Sequence, residues 1–530
     1  MALKISNIRL DLDEPEEKLA DRIAERLGVG PGTLGPWRIL RRSLDARRRD
    51  EIHFVYSAEV EIPEGEDRLF GEAPGPCVER SQPTGFDWPE PGPERLDDRP
   101  VVIGSGPAGL FAAYFLAQGG YRPIILERGQ AVKERAAAVR SFDEGGKLDP
   151  ESHYLFGEGG AGTFSDGKLT SRNTGPDVQK VLEILASCHG KPSIVYEHRP
   201  HLGSNRLPLV VRTIRRKIEE MGGEVRFNCR VEDLEIADGC LKALGTSSGR
   251  IAAGLAVLAI GHSARDTYGM LLRRGIPLLP KPFQLGIRIE QPQEQVDRAR
   301  YGGYAGHPSL GAADYELVAR VGPRDLFSFC MCAGGYVMPS VSEPGYFCTN
   351  GMSESRHDSP FANSGLVVTI TPEEAGSSHP LAGIHFQQVA ERRGYLMGGR
   401  GYRAPIQWAR DFLSGRPSRG KIPSSYPRGT EPGDLRAIVP PIVQEALDRG
   451  LPDLDRRFRG LFLRDATITG PESRGSSPVR IPRDDGTREC PALAGLYPCG
   501  EGAGYAGGII SAAVDGLRTA RAIAARYSPR

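Results

Sequence analysis

The sequence predicts an α/β fold with an inserted α+β domain, and three observations lead to this prediction. Residues 100–127 have the pattern of a strand, a glycine-rich turn, a helix and a second strand. Residues 495–527 repeat the strand, glycine turn and helix at the far end of the chain. Between about 282 and 460, short strands alternate with turns rich in Pro and Gly, as in a separate layer. We therefore expect an α/β domain in two chain segments, interrupted by a mixed-sheet domain.

A chain of 530 residues is too long for one compact domain, and the changes in composition divide it into five segments. The predicted segments are an N-terminal α/β module (1–70), a Pro- and Gly-rich linker (71–99), the first part of the α/β domain (100–280), the inserted domain (281–465) and the second part of the α/β domain (466–530). In the N-terminal module the pattern predicts a strand over 3–12, a helix over 15–27 and a strand over 51–61.

The stretch WRILRRSLDARRRDE, residues 37–51, is crowded with arginine. We interpret it as a solvated strand and turn, with Asp45 and Asp50 as local ion-pair partners. An RNA-facing patch is the alternative, but only Trp37 at its edge is aromatic. The formal net charge of +1 also supplies no global field that would attract nucleic acid, so a nucleic-acid partner is not expected.

Composition indicates a folded protein of a reducing compartment. The hydrophobic share is 39% with 25% charged residues, and the nine Cys show no paired spacing typical of a disulfide framework. The first residues, MALKISNIRLDLDEPEE, become acidic where a signal peptide needs an apolar core. The most apolar stretch, residues 254–261, is far shorter than a membrane span. A cytoplasmic location without membrane association is the expectation.

The first glycine-rich turn carries the fingerprint Gly104-x-Gly106-x-x-Gly109 in a complete strand–turn–helix–strand context. The first glycine permits the tight turn, the second lets the backbone approach a pyrophosphate, and the third allows close packing of helix on strand. The following helix N-terminus presents free N–H groups to phosphates. Glu127, about 20 residues on, is placed to accept hydrogen bonds from an adenosine ribose. The stretch predicts dinucleotide binding.

The C-terminal stretch GLYPCGEGAGYAGGIISAAVDG distinguishes FAD from NAD. A strand ends at Gly500-Glu501, and after a glycine-rich turn a helix starts near Gly508. An enzyme that binds NAD through its first βαβ unit needs no second glycine-rich helix start. FAD is longer, and amides at a second helix N-terminus would stabilise negative charge on the reduced flavin ring. We therefore predict FAD as the cofactor.

Several long motifs give the sequence a family resemblance from about residue 100 to the C-terminus: GSGPAGLFAA, FGEGGAGTFSDGKL, AIGHSARD, FQLGIRIEQP, FCMCAGGYV, HPLAGIHFQ and CGEGAGYAGGIISAAVDG. The chain resembles the glutathione-reductase-type FAD fold, and within it a family of NAD(P)/FAD-utilising dehydrogenases of bacteria and plastids. The resemblance implies that the three fingerprint glycines hold the pyrophosphate. Glu127 would hold the ribose, the Val231 backbone would meet the adenine, and Gly500 and Glu501 would contact the ribityl-diphosphate region. Related flavoproteins usually carry Asp where this chain has Glu501, which affects the ribityl contact.

The full predicted set of cofactor-binding residues follows from these motifs. It comprises Gly104, Gly106, Pro107, Ala108, Gly109, Glu127, Arg128, Gly160, Gly162, Thr163, Lys168, Val231, Gly261, Gly500, Glu501, Gly507, Gly508 and Ile509.

The loop GEGGAGTFSDGKL contains G-x-x-x-x-G-K, the core of an ATP-binding P-loop. A P-loop needs Ser or Thr after its Lys to ligate Mg²⁺, and Leu169 stands there. The ATPase interpretation therefore fails. The glycines of the loop would let backbone pass close to a flat ring system. Lys168 is either a group facing the flavin or a substrate anion, or a surface lysine.

FSFCMC, residues 327–332, alternates as a strand does, so Ser328, Cys330 and Cys332 are expected on one face. Cys at i and i+2 in an extended strand lie near the limit for a disulfide, and no further Cys or His pair has metal-ligand spacing. We predict small residues lining the pocket beside the flavin, with no metal site. No Lys, Arg or His lies in this stretch, so nothing local indicates a lowered thiol pKa.

Four further residues are candidates for chemistry. His262 follows a buried strand, where sheets of this type present residues to a ligand, although a structural hydrogen bond is the commoner role. His385 and Gln387, in GIHFQ, are read as alternating on a strand that contacts substrate. Arg474 is a candidate for binding an acidic substrate or the flavin carbonyls. The candidate catalytic residues are Lys168, Cys330, Cys332, His262 and His385.

The predicted function is an FAD-dependent oxidoreductase that transfers hydride between flavin and a small organic substrate, with reduction or formation of a C=C bond as the first reaction type. A flavin monooxygenase is one alternative, and an RNA-associated flavoprotein that holds a tRNA-like partner with its N-terminal module is another. A protein that holds FAD only structurally is the third. No second dinucleotide fingerprint appears between 261 and 460, so NAD(P)H is expected at most as a transient donor.

Overall fold

The computed structural model describes residues 2–30, 32, 34–61, 77–81, 85–171 and 173–529. Its strands in chain order are β1 Ala2–Asp11, β2 Trp37–Asp45, β3 His53–Glu61, β4 Val78–Arg80, β5 Glu94–Arg95, β6 Val101–Ile103, β7 Ile124–Leu126, β8 Glu224–Arg226, β9 Val231–Ala237, β10 Cys240–Thr246, β11 Gly249–Ala252, β12 Ala256–Leu258, β13 Leu279–Pro280, β14 Phe283–Pro292, β15 Val318–Val321, β16 Arg324–Cys332, β17 Gly335–Pro339, β18 Thr349–Ser353, β19 Phe361–Ile370, β20 Ala404–Trp408, β21 Thr430–Pro432, β22 Thr467–Glu472, β23 Val479–Arg480, β24 Leu496–Pro498 and β25 Tyr527–Ser528.

The α-helices in chain order are α1 Leu19–Leu27, α2 Pro107–Gln118, α3 Val132–Asp143, α4 Pro176–Ser187, α5 Leu207–Glu220, α6 Arg265–Arg273, α7 Gln293–Tyr301, α8 Ala382–Met397, α9 Ala409–Leu413, α10 Pro441–Arg457 and α11 Ile509–Arg526. Short 3₁₀ turns occupy Glu16–Lys18, Gly160–Phe164, Pro192–Val195, Gly302–Tyr304 and Leu435–Ala437.

The first layer of the fold is a five-stranded parallel sheet in the order β24-β12-β6-β7-β8. Alternate residues of each strand face opposite sides. One face packs against helices α2, α4, α5 and α11. The other face packs against α6 and the antiparallel sheet β11-β10-β9. A sheet buried on both faces explains why its strands read as short, wholly apolar runs. The strand from the C-terminal stretch, β24, pairs with β12, so both glycine-rich turns belong to one sheet.

The second layer is a seven-stranded mixed sheet in the order β15-β16-β19-β14-β22-β20-β21. Its pairs are antiparallel except β20 with β21. Helix α10 packs on this sheet through Val443, Leu447, Leu451 and neighbouring apolar residues. Strand β22 continues this sheet to Glu472, beyond the domain boundary expected at 465.

The inserted segment is richer in helix than its sequence pattern predicts. GIHFQ lies in helix α8 and not in a strand. The pattern misled because His, Phe and Gln alternate there over only five residues. The buried residues of the helix, among them Ile384, Gln387, Glu391 and Gly394, recur at three to four residue intervals, which is the helical period. His385 is consequently exposed, and its prediction as a catalytic residue on a strand is wrong.

The N-terminal module is a four-stranded sheet in the order β2-β3-β1-β4 with α1 packed against it. Its edge strand β2 is paired with the body of the molecule. The Arg42 amide donates to the Tyr196 carbonyl, and the His198 amide donates to the Arg42 carbonyl, both at 2.8 Å. The expected local ion pairs are present, because Arg47 Nη2 lies 2.5 Å from Asp45 and Arg48 Nη2 lies 3.2 Å from Asp50. The arginine-rich strand is thus part of a docked edge.

The predicted linker at 71–99 falls partly outside the described residues, at 71–76 and 82–84. The described remainder is packed against the α/β domain. Phe86 and Trp88 contact the ring of Phe115 in α2, and strand β5 pairs with the C-terminal β25. No helix in the described ranges is long and apolar enough to cross a membrane.

Candidate active site

A cavity of about 420 Å³ lies between the parallel sheet and the seven-stranded sheet. Its walls come from several places in the chain. The largest contributions are the fingerprint turn at 103–108, the glycine loop at 155–170, the strand end at 259–264 and the C-terminal turn and helix start at 499–512, and smaller ones come from 126–128, 229–231 and 474–475. Phe329, Cys330 and Asn350 of the inserted domain close the remaining side. The volume is in the range of small-molecule sites in proteins.

The two glycine turns of the cavity touch each other. A Cβ on Gly160, where φ is +60°, would lie 3.0 Å from the Gly106 Cα. Gly109 is needed for packing, because a Cβ there would lie 1.9 Å from the Gly104 carbonyl oxygen. By contrast, a Cβ on Gly106 would meet only ordinary contact, 3.9 Å from Gly160. The fold therefore leaves room at Gly106, which lines the cavity.

Two helix N-termini open into the cavity without side-chain caps. Helix α2 begins after Gly106 and α11 begins after Gly508, and these glycines have no side chain that could accept from the first backbone N–H groups. Gly106, Pro107, Gly508 and Ile509 all belong to the cavity lining. Free N–H groups and the positive dipole end at each site favour negatively charged ligand groups. The two ends of the cavity fit the diphosphate and the flavin ring of FAD.

Most of the predicted cofactor-binding residues line this cavity. Those in the lining are Gly104, Gly106, Pro107, Ala108, Glu127, Arg128, Gly160, Gly162, Lys168, Val231, Gly261, Glu501, Gly507, Gly508 and Ile509. Gly109, Thr163 and Gly500 lie behind the wall. Thr163 donates from Oγ1 to the Glu158 carbonyl at 2.9 Å. Gly500, with φ at +74°, packs against the Ala108 side chain.

Glu127 holds the two glycine turns together. Its Oε2 accepts from the Ser105 amide at 3.0 Å and from the Ser105 hydroxyl at 2.6 Å. Its Oε1 accepts from the amides of Gly129 at 2.9 Å and Gly157 at 3.0 Å. The carboxylate therefore orders the walls of the cavity as well as lining it. The spacing in the sequence predicts a ribose contact for Glu127. It gives no sign that this carboxylate also holds the two glycine turns together.

His262 and Glu501 face each other across the cavity. His262 Nδ1 lies 3.3 Å from Glu501 Oε1, and both residues are in the lining. His262 Nε2 is buried and has no hydrogen-bond partner among the described residues. A buried ring nitrogen without a partner is costly unless a ligand or water satisfies it. This nitrogen is thus available to a bound molecule.

The expected face of Ser328, Cys330 and Cys332 is broken by a bulge in β16. The register with β19 shifts between Phe329 and Cys332, and Cys330 adopts a φ of +45°. Consecutive residues Phe329 and Cys330 therefore both line the cavity. Cys332 is fully buried, and Ser328 accepts from the Leu317 amide at 2.8 Å. The prediction of one face is wrong because the irregular backbone cancels the period of two. A non-glycine residue with positive φ is strained, and such strain is often found at functional sites.

The thiol of Cys330 is in a more positive environment than its own strand provides. A hydrogen bond from Cys332 lowers its pKa, burial raises it, and the charges of Lys168 and Arg288 lower it, giving about 7. The stretch itself holds no cation, as the sequence shows, and both cations that lower this pKa come from distant parts of the chain. Cys332 is the opposite case, since burial raises the pKa of its thiol.

Lys168 is a cavity residue and not a surface lysine. Its Nζ donates to the Met331 carbonyl and lies 3.5 Å from Asp166 Oδ2. Burial lowers the pKa of Lys168, but Asp166 outweighs this effect and raises it. Burial likewise raises the pKa of Asp166, while Lys168, His201 and Ser353 outweigh it and hold the carboxyl below its usual range. The two side chains form a fixed ion pair at the cavity wall.

Arg474 lines the cavity but is already paired. Its guanidinium lies 3.1 Å from Glu391 Oε2 and also donates to Ser263 and Ser342. Arg265 meets the same carboxylate at 2.8 Å. Because Glu391 is fully buried between the two arginines, this group braces the inserted domain against the strand end at 259–264.

Sequence reasoning missed the residues behind Lys168. Asp166, His201, Ser353 and His357 come from three separate chain segments and meet at one place. Asp166 stands two residues from Lys168 in the glycine loop, which is the one signal that could have identified it. His201, Ser353 and His357 have no spacing relationship that indicates contact.

Three family models match the chain. They describe a domain of unknown function at residues 2–61, an NAD(P)-binding Rossmann-like domain at 102–161, and an "FAD-dependent protein, C-terminal domain-like" at 282–475. An uncharacterized protein of Clostridium beijerinckii is 41% identical over 531 residues, covering 99% of both chains. The chain belongs to the family of this clostridial protein. The matches confirm the mixed α/β fold with a Rossmann-like domain, FAD as cofactor and an FAD-dependent oxidoreductase as the enzyme class.

Two of the solved structures to which this chain is similar are oxidoreductases of low sequence identity. Glycine oxidase from Bacillus cereus aligns with a TM-score of 0.32 and 12% identity, over 80% of this chain and 95% of that one. L-Proline dehydrogenase from P. horikoshii aligns with a TM-score of 0.33 and 13% identity, over 81% and 93%. Similarity at this level carries no information about the substrate of the family.

Proposed function

We propose that this protein transfers hydride between FAD and a small organic substrate, and that the reaction reduces or forms a C=C bond. One observation supports this most directly. Residues that fit the flavin, such as Gly508, and residues of the inserted domain, such as Cys330 and Asn350, line a single cavity. A substrate between the two layers would therefore lie against the flavin ring. A cytoplasmic location is part of the proposal.

The cofactor would be held in a glutathione-reductase-type arrangement by a domain formed from two chain segments. The N-terminus of α2 and Gly106 would hold the diphosphate, and Val231 would meet the adenine. The uncapped N-terminus of α11 would face the flavin ring. FAD, when bound, supplies or accepts a hydride, which is two electrons and one proton. Addition of hydrogen across a C=C bond requires a second proton, and the protein must provide it.

The cavity walls carry groups suited to that need. Lys168 supplies a fixed positive charge that would attract a carbonyl or carboxylate oxygen of the substrate. Attraction of this kind polarises a conjugated C=C bond and makes it a hydride acceptor. His262 Nε2 is the free polar nitrogen of the lining, and it would hydrogen-bond the substrate or the cofactor. Asp166 links the cavity to the histidines behind it.

Anaerobic titration of the purified yellow protein with NADH and NADPH tests this proposal. Bleaching of the flavin absorbance, complete after one equivalent, is the expected result with one of the two donors or with a reduced substrate. A protein whose flavin is bleached by dithionite but by no organic donor would instead hold FAD structurally, and the proposal would fail.

A flavin monooxygenase is the second candidate. Part of the cavity lining is buried, as at Asp166, Ser263 and Ser340, and this part also suits a reaction that must exclude water. The two reactions differ in their oxidant. A monooxygenase consumes dioxygen in step with substrate and yields a hydroxylated product, whereas the proposed reaction proceeds without dioxygen.

A further inference from the structure

Behind the cavity wall, four polar side chains form one hydrogen-bonded cluster: Asp166, His201, Ser353 and His357. The Ser353 hydroxyl donates to Asp166 Oδ1 and lies 3.0 Å from His201 Nε2 and 3.4 Å from His357 Nδ1. His357 Nδ1 also donates to the Ala333 carbonyl at 2.7 Å, which fixes the ring beside Ser353. His201 Nε2 is also 3.4 Å from Asp166 Oδ1. Asp166 lines the cavity, while His357 lies in the partly exposed loop at 354–358. The cluster therefore connects the cavity with the protein surface.

We propose that this cluster stores one proton for the reaction in the cavity, taking it from solvent when electrons enter the cavity and passing it through Ser353 and Asp166 to the substrate. The proposal rests on the proposed function, because it assigns the source of the second proton. Reduction of a C=C bond then balances: the hydride forms one C–H bond, the stored proton forms the other, and two electrons leave the cofactor.

The two histidines hold at most one proton between them. Their ring centroids are only 4.0 Å apart, so two positive rings would repel strongly in a buried setting. Burial and His201 together lower the pKa of His357, which favours the neutral ring before electrons arrive. Negative charge added to the cavity attracts a proton to the pair, and the Asp166 carboxylate stabilises it there.

The charged groups around the cluster are compatible with this role. Lys168 neutralises Asp166 on the cavity side, and Lys191 acts on His357 from the far side. Cys332 faces Lys168 and Asp166 from strand β16 and stays protonated, since burial raises the pKa of its thiol. Within the described residues, the imidazole rings are thus the groups of the cluster that can take up or release a proton while Asp166 and Lys168 stay paired.

The same groups do not have the geometry of a metal centre. Ligand atoms of Asp166, His201 and His357 lie within 4.8 Å of one another. Two imidazoles on a tetrahedral ion, however, hold their ring centroids about 5 Å apart, and these rings are closer. The Lys168 ammonium beside Asp166 also repels a cation. We therefore assign protons and not a metal to the cluster.

The pH dependence of the flavin midpoint potential tests the proposal without any turnover assay. Each proton taken up with two electrons contributes about 30 mV for every tenfold change in proton activity. Hydride uptake alone gives one such contribution per pH unit. In the wild-type protein we expect two such contributions per pH unit over a window within about pH 6 to 9. In His201→Gln and in His357→Gln we expect one contribution per pH unit. The matched control is His385→Gln, an exposed histidine outside the cavity, which keeps the wild-type slope.

Three results would overturn the proposal. The first is a wild-type midpoint potential that changes with pH as expected for one proton at every pH. The second is a two-proton dependence that survives in both variants, and the third is a stoichiometric metal ion that is lost from both variants. If one variant fails to fold, the other variant still decides the question, because a second proton taken up by the reduced flavin itself would leave the slope of that variant unchanged. A protein that binds no FAD gives no potential at all, and that result would refute the proposed function and not the cluster. Titration of the His201 and His357 ring nitrogens by NMR in the cofactor-free protein gives an independent count, with one proton expected for the pair.

Discussion

Gly106 and Gly160 lie in contact, with a Cβ on Gly160 placed 3.0 Å from the Gly106 Cα. The contact joins two glycine turns that are far apart in sequence and makes them one wall of the FAD cavity. Glu127 fastens the same wall through the amides of Ser105 and Gly157. The first turn carries a dinucleotide fingerprint, and the second, which has the G-x-x-x-x-G-K core of a P-loop but Leu169 after the Lys, is predicted from its glycines to pass close to the cofactor.

Gly106→Val is expected to abolish FAD binding while the protein still folds. The first side-chain atom meets only a contact of 3.9 Å with protein, so the added methyl groups enter the space where the diphosphate must approach. Flavin absorbance of the purified variant measures the loss. The matched control is Gly109→Ala, whose Cβ would lie 1.9 Å from a carbonyl oxygen, and which is expected to lower thermal stability. Stoichiometric FAD in Gly106→Val would show that the site is assigned wrongly.

Cys330 is expected to be the cysteine that alkylates fastest in the native protein. Its pKa of about 7 means that the reactive thiolate is lost as pH falls below 7 and gained as pH rises through it. Peptide mapping after iodoacetamide at several pH values measures this midpoint. Lys168→Met removes a positive charge and moves the midpoint to higher pH. Cys332, whose pKa is raised by burial, is the internal control. Equal rates at both cysteines would contradict the assignment.

Glu391→Gln is expected to destabilise the protein by about 3 kcal/mol, because it removes the buried carboxylate between Arg265 and Arg474 and leaves the half-buried Glu343 as their remaining acidic partner. Burial raises the pKa of Glu391, but the two arginines outweigh it and lower it. Its contribution is therefore present at neutral pH and is lost as pH falls below the unfolded value of about 4. Denaturant unfolding measures the loss. Glu235→Gln, in the exposed pair with Arg250, serves as control and should change stability little.

The full-length protein is expected not to bind RNA. Three arginines of the N-terminal module, Arg38, Arg47 and Arg48, are paired with Glu59, Asp45 and Asp50, and the edge of β2 is docked against 196–198. Phosphate binding would have to break these contacts first. Retention on immobilised RNA at low salt, decreasing steeply as salt is raised, would restore the RNA-associated alternative.

The sequence predicts well those parts of the fold whose geometry is determined by residues close together in the chain. The fingerprint around Gly104 and the helix start at Gly508 need only neighbouring residues for their function, so the sequence predicts the strand–turn–helix pattern at both places. The strand prediction for GIHFQ is wrong, because five residues are too few to distinguish the two-residue repeat of a strand from the 3.6-residue repeat of a helix. The burial of Gln387 depends on tertiary packing.

The chemistry of the site was less predictable, because it depends on residues that meet only after folding. Cys330 acquires a lowered pKa from Lys168 and Arg288, which are 162 and 42 positions away. The bulge that brings Phe329 and Cys330 together into the wall is set by pairing with β19. His201, Ser353 and His357 likewise show no pattern in the sequence. The cofactor-binding motifs can therefore be predicted from residues that are neighbours in the sequence. The groups proposed to take part in the reaction come together only when the chain folds.

Reoxidation of the anaerobically reduced protein is the measurement that tests the central claim most directly. The reduced enzyme is mixed with a panel of α,β-unsaturated carboxylates, ketones and quinones in the absence of dioxygen, and the flavin absorbance and products are followed. If the protein transfers hydride to an organic substrate, at least one of these acceptors restores the oxidised spectrum rapidly. One saturated or reduced product molecule is then formed per flavin. Reoxidation by dioxygen alone, with all organic acceptors inert and a hydroxylated product formed when a substrate is present, would contradict the proposed hydride transfer.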